Sequence, residues 1–282
     1  MQIVNTVSEL RDVVKAWRVT GESIAFVPTM GNLHDGHIDL VHKAKALADR
    51  VVVSIFVNPT QFGVGEDFAN YPRTEQVDQA QLLAVGADAL FLPSVSDVYS
   101  SDAVTMVTVN GISERYCGAF RPGHFSGVAT VVCKLFNIVQ PDKALFGLKD
   151  YQQLTVIKTM VRDLNIPVEI IPVETVREAS GLALSSRNGY LTDAEKIVAP
   201  ELYKVLCDTK AAVLAGNQSF EDIEQLGLRV LEEFRFKPDY LSICRSHDLS
   251  HATVEDTEIV ILVAAKLGKT RLIDNVCFTK GI

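Results

Sequence analysis

The densest chemistry in this 282-residue chain lies in PTMGNLHDGH, residues 28–37. Two glycines permit tight backbone geometry, and two imidazoles, His34 and His37, follow three residues apart. Pro28 closes an apolar run (residues 24–28) that reads as a buried strand. Beyond the turn, IDLVHKAKALADR has apolar residues at helical spacing. Ligands of parallel α/β sheets bind beyond the carboxyl ends of strands, where this turn falls. N–H groups at a helix start suit phosphate, and two imidazoles on one face can stabilise charge on phosphoryl oxygens. The same H-x-x-H spacing can supply two metal ligands. No HExxH sequence or cysteine cluster offers a third nearby, so phosphate chemistry is the favoured reading.

The elements that must carry this turn follow a regular order. Thr6 and Glu9 form a capping box that predicts a helix over about 7–18. VVVSIFV (51–57) predicts a second buried strand, TEQVDQAQLLAVG a helix ending at Gly86, and ALFLP a third strand. After residue 120 the alternation resumes with FSGVATVVCKLFNIVQ as helix, KALFG as strand, YQQLTVIKTMVRDL as helix and VEIIPV as strand. This order predicts an α/β fold with a Rossmann-like doubly wound parallel sheet, as one nucleotide-binding domain over 1–175. Over 176–282 helices start near Thr192 and Ser219. YLSICR, EIVILVAAKL and TRLIDNV then follow as strands without alternating helices, predicting a smaller α+β domain.

Composition bounds the function classes. The 27 Lys+Arg against 35 Asp+Glu leave a net charge of -8, without the basic footprint of a nucleic-acid binder. Apolar stretches are strand-length and far short of a membrane span. The opening MQIVNTVSELRDVVKAW lacks a signal peptide's apolar centre. Cys117, Cys133, Cys207, Cys244 and Cys277 show no CxxC spacing, so reduced thiols in a cytoplasmic protein are expected. Two lookalike motifs read as structural. Gly268-Lys269-Thr270 lacks the first glycine of a phosphate-binding loop, Val263 standing there, and Asn217-Gln218-Ser219 is a sequon without secretory context.

PTMGNLHDGH resembles the HxGH signature of nucleotidyltransferases. The resemblance is closer to the pantoate–β-alanine ligase family, through SIFVNPTQF (54–62), YPRT (71–74), RPGHFSGV (121–128), FGLKDYQQ (146–153), VREASGLALSSRN (176–188) and LGKTRLIDN (267–275). It implies that ATP, with Mg2+, activates pantoate as an adenylate, and that β-alanine then displaces AMP. Catalysis falls to His37, matching a proton donor, and His34. The implied ATP contacts are Met30, Gly31, Asn32, Leu33, His34, Asp35, Gly36, His37, Gly147, Leu148, Lys149, Asp150, Val176, Leu184, Ser185, Ser186 and Arg187. The last four form a phosphate loop of the second domain. Gln61 and Gln153 match pantoate-binding positions, Gln61 also contributing to β-alanine binding. Asn58, Arg73, Arg121 and His124 border these blocks without an assigned role. No metal ligand is assigned, and Asp78 is the carboxylate to watch for magnesium. The resemblance implies a homodimer. Asn32, Leu148 and Leu184 depart from the residues common there, namely alanine, a polar residue or proline, and methionine. The rival readings are an adenylyltransferase acting on a phosphorylated substrate and a catalytically silent nucleotide-binding module.

Overall fold

The computed structural model describes residues 1–63 and 65–281. The chain forms two compact units, Met1–Gly147 with Val156–Glu174, and Leu148–Thr155 with Thr175–Ile282.

The first unit opens with β1 (Gln2–Val4) and α1 (Val7–Val19), the latter started by the Thr6–Glu9 capping box. Then β2 (Ile24–Thr29), α2 (Asp35–Leu47), β3 (Arg50–Ile55), α3 (Glu75–Ala84) and β4 (Ala89–Phe91) alternate. Short helices α4 (Val95–Val98) and α5 (Cys117–Phe120) precede α6 (His124–Val139), β5 (Lys143–Gly147), α7 (Tyr151–Asp163) and β6 (Glu169–Val173). The strands pair in parallel in the order β1-β4-β3-β2-β5-β6. From β2 the chain steps one way through β3 to β4, and from β5 the other way to β6. Right-handed crossovers in opposite directions place helices on both faces, so the sheet is doubly wound. Thus α2 meets α3 on one face, and α1 meets α6 on the other.

Burial on both faces explains the uninterrupted apolar strands. Ala25 and Val27 of β2 join Val51 and Val53 of β3 and Leu40, Val41 and Ala44 of α2 in one core. Phe26 faces the other way and meets Phe136 of α6 edge-on, ring centroids 6.4 Å apart. The switch in strand order lies between β2 and β5, so their carboxyl ends, Thr29 and Gly147, frame the crevice.

In the second unit α8 (Asp193–Val198), α9 (Glu201–Ala215) and α10 (Phe220–Glu233) precede an antiparallel sheet of β7 (Lys237–Arg245), β8 (Glu258–Leu267) and β9 (Thr270–Thr279). Leu202, Leu206, Ile223 and Leu231 bury against Leu241, Ile261 and Val263. Both lookalike motifs have structural uses. Ser219 caps α10 by accepting from the Asp222 N–H at 3.1 Å. Gly268, at φ +57, sits with Lys269 in the tight turn between β8 and β9.

The segment Leu148–Thr155 belongs with the second unit, where the sequence reading places it in the first domain. Asn275 Nδ2 on β9 donates to the carbonyls of Leu148 and Lys149 at 2.8 and 2.9 Å, and the Tyr151 hydroxyl donates to Ser246 O at 3.0 Å. Among the described residues all five cysteines are free thiols.

Candidate active site

The turn after β2 is fixed by hydrogen bonds that consume its own backbone. Gly31 N–H donates to Thr29 Oγ1 at 3.2 Å, and Asn32 and Leu33 N–H donate to the two carboxylate oxygens of Asp78 at 2.9 Å each. Asp78 lies in the first turn of α3, is fully buried, and also accepts from Thr74 Oγ1 at 3.1 Å. Bonds to a buried carboxylate are each worth about 1.5–3 kcal/mol net. Leu33 is buried in the core beneath. Gly31 has φ +81, and a Cβ there would stand 2.9 Å from Ile55 Cγ2. Asn32 has φ +50, a region asparagine tolerates better than the alanine common at this position.

Both histidines join the same accounting. His34 is the N-cap of α2, and its Nδ1 accepts from Gly36 N–H at 3.2 Å. His37 Nδ1 accepts from His34 N–H at 3.3 Å, and the ring centroids are 4.1 Å apart. An Nδ1 that accepts a backbone N–H carries no hydrogen, so each neutral ring is the Nε2–H tautomer. The helix start that the sequence reads as bare is capped. The N–H groups of Gly31, Asn32, Leu33, His34 and Gly36 already have acceptors, and His37 N–H donates to His34 O at 2.7 Å. Each imidazole keeps its ring hydrogen on Nε2, the nitrogen away from the backbone bond. Asp78, the carboxylate watched for magnesium, places both its oxygens on the turn.

Gln61 sits in a short 3-10 turn, Pro59–Gln61, after β3. The buried Asn58 donates from Nδ2 to Gln61 Oε1 and to Gly127 O, each at 3.2 Å. Asn58 Oδ1 accepts from the Tyr99 hydroxyl at 2.9 Å. Burial pushes the Tyr99 hydroxyl's pKa above its ordinary value. With its oxygen held, Gln61 turns Nε2 toward Met30 Sδ at 3.1 Å, so this amide touches the predicted nucleotide turn. Arg73 lies over the Phe68 ring and donates to the carbonyls of Phe68, Ala69 and Tyr71, which makes it a clamp on its own loop.

The remaining predicted residues, apart from Gly147 at the end of β5, belong to the second unit. Leu148, Lys149 and Asp150 form a 3-10 turn ahead of α7, with Lys149 Nζ 3.8 Å from Asp150 Oδ2. Gln153 follows in the first turn of α7 and is half-buried. Val176 and Leu184 are joined by a bond from Leu184 N–H to Val176 O at 3.0 Å, next to the Arg177–Ala183 bridge. Ser185 Oγ caps the 3-10 turn Ser186–Tyr190 by accepting from Arg187 N–H. Arg177 anchors this hairpin through a fork to Asp274, at 2.6 and 2.9 Å, and stacks 3.5 Å from the Tyr203 ring centroid. Burial works against the Arg177 charge, yet Asp274 outweighs it and raises the guanidinium pKa. Asp274 and Asn275 had no role in the sequence reading, although both fall in the LGKTRLIDN block.

A doubly wound parallel sheet whose switch point presents paired imidazole donors defines a nucleotide-binding α/β enzyme. The family model described as pantoate-beta-alanine ligase matches residues 2–277. A pantothenate synthetase from Alteromonas mediterranea is 55% identical over 282 residues, covering 99% of this chain and 100% of that protein. The crystal structure of pantothenate synthetase from Thermus thermophilus matches with a TM-score of 0.92 at 45% identity, covering 98% of this chain and 99% of that one. A pantoate-beta-alanine ligase from Francisella tularensis, complexed with beta-gamma ATP and beta-alanine, matches with a TM-score of 0.82 at 36% identity, covering 98% and 97%. The chain belongs to the pantoate–β-alanine ligase family.

Proposed function

We propose that this protein condenses pantoate with β-alanine at the expense of ATP, giving pantothenate, AMP and pyrophosphate. In the first step the pantoate carboxylate attacks the α-phosphorus of ATP and pyrophosphate leaves. In the second the β-alanine amine attacks the acyl carbon of pantoyl adenylate, loses a proton, and AMP departs. The observation that carries this reading is the pair of Nε2–H imidazoles fixed by backbone bonds at the start of α2, in the turn whose Met30 meets Gln61. Charge grows on phosphoryl oxygens in the first step, and preorganised donors stabilise it without reorganising.

The roles divide by chemistry. His34 and His37 donate to phosphate oxygens, and Lys149 and Arg187 supply cations of the second unit. Gly31, Asn32, Leu33, Asp35, Gly36, Gly147, Leu148, Asp150, Val176, Leu184, Ser185 and Ser186 shape the nucleotide contacts. Gln61 and Gln153 take the pantoate hydroxyls and carbonyl, since an amide donates and accepts together. Magnesium bound with ATP would neutralise phosphate charge and help the leaving group depart. Gln61 with Met30 offers an amide and a thioether where a phosphorylated second substrate would call for Lys or Arg.

A homodimer belongs to the same reading, supported by Val104 and Met106, which are 93% and 63% exposed. So does a cytoplasmic setting, supported by the free thiols. Among the described residues no helix is long and apolar enough to cross a membrane. Product analysis tests the reaction. Free AMP in proportion to amide bond formation is expected, and nucleotide retained in the product would favour the adenylyltransferase instead.

A further inference from the structure

Helix α6 begins with a chain of polar contacts that ends on Gln61. Arg121 Nε and Nη2 grip Glu66 Oε1 and Oε2 at 2.6 Å each. Burial works to raise the Glu66 carboxyl, but Arg121's hydrogen bonds and charge outweigh it and hold the group below its usual range. Arg121 Nη1 lies 3.0 Å from His124 Nε2. A guanidinium only donates, so His124 Nε2 accepts and the ring hydrogen sits on Nδ1. Nδ1 stands 2.7 Å from Gln61 O and donates to it. Three residues further along the same helix face, a Cβ on Gly127 would lie 2.3 Å from Thr60 O. The helix therefore rests directly on the turn, with a ring donor holding one end and a bare backbone the other.

We propose that His124 is a positioning residue for Gln61, fixing the backbone of the Pro59–Gln61 turn so that the Gln61 amide meets pantoate in one orientation. This rests on the reading of Gln61 as a substrate-binding residue. Arg121 acts through His124 by selecting its tautomer, beside its own longer contact from Nη2 to Gln61 O at 3.5 Å, and Glu66 acts through Arg121 by fixing the guanidinium. The relay meets the nucleotide turn only at its end, where Gln61 Nε2 contacts Met30 Sδ, so its loss weakens pantoate use more than ATP use.

The test measures kcat, both KM values and thermal midpoints for wild type, H124L, H124N, H124Q, Q61A and the double variant Q61A/H124L. Asparagine places a donor where Nδ1 stood, whereas glutamine reaches only to the Nε2 position. H124L is expected to raise the pantoate KM about tenfold, the scale of one lost hydrogen bond, with the ATP KM within about twofold. H124N should recover most of that loss and H124Q little, a comparison that holds even if H124L does not fold. In the Q61A background H124L should add little. Equal impairment of H124N and H124Q, or an ATP KM rising in step with that of pantoate, would reduce His124 to general support of the fold. A normal H124L beside an impaired Q61A refutes the relay alone. A normal pantoate KM in Q61A refutes the role of Gln61 and the relay with it.

Discussion

Replacing Asp78 by asparagine preserves the side chain's volume but turns one acceptor oxygen into a donor nitrogen. In the protein Oδ2 receives the Asn32 N–H and Oδ1 receives both the Leu33 N–H and the Thr74 hydroxyl. The variant amide satisfies one backbone donor and points its NH2 at the other. The loss is one charge-assisted bond plus the desolvation of a buried N–H, together about 2–4 kcal/mol. For a domain of this size each kcal/mol moves the midpoint by about 2–4 °C, so the melting temperature should fall by roughly 4–16 °C. Activity should fall further, because the turn also carries His34 and His37, and a misplacement of about 1 Å can cost about 100-fold. Thermal unfolding and pantoate-dependent pyrophosphate exchange, run across a range of magnesium concentrations, measure both effects. An unchanged midpoint with activity restored by excess magnesium would refute the reasoning and make Asp78 a metal ligand.

The imidazoles give a sharper chemical contrast. If His37 acts as a neutral Nε2–H donor, H37Q should keep far more activity than H37A, whose loss should be about 100–1000-fold; equal loss in both would mean that His37 delivers a proton. Asp142 carries a pH prediction. Burial works to raise its pKa, but Arg18 and the Ile24 N–H outweigh it and hold the folded-state value below normal. Its contribution is therefore complete above the unfolded pKa of about 4 and vanishes on acidification. R18A should be less stable than wild type near neutrality, and the gap in urea midpoints should close as the pH falls below about 4; a gap that widens in acid contradicts the assignment. Removing divalent metal with a chelator should stop turnover and leave the melting temperature unchanged, whereas loss of fold would reveal a structural ion.

What the sequence disclosed and what it hid follow from distance along the chain. The capping boxes at Thr6 and Thr192, the buried run of β3 and the HxGH turn are local patterns, and each forms where the spacing places it. Strand β1 escaped because three residues show no period. Asp78 looked like an available carboxylate, for its partners Asn32 and Leu33 lie 46 and 45 residues away. Asn275 reaches Leu148 across 127 residues, and no local pattern announces it. Gly127 meets Thr60, 67 residues earlier, so the reason for a glycine in this helix appears only once the turn is in place. The hydrogen bonds of the turn's amides were hidden for a related reason. Capping by an imidazole leaves the same letters in the sequence as a bare helix start, yet it gives the N–H groups of His34 and Gly36 ring acceptors.

Isotope exchange between labelled pyrophosphate and ATP, run before any β-alanine is supplied, tests adenylate formation most directly. Exchange that requires pantoate, survives omission of β-alanine and collapses in H37A is the predicted result. Exchange without pantoate, or none until the amine is added, would contradict a free-standing pantoyl adenylate.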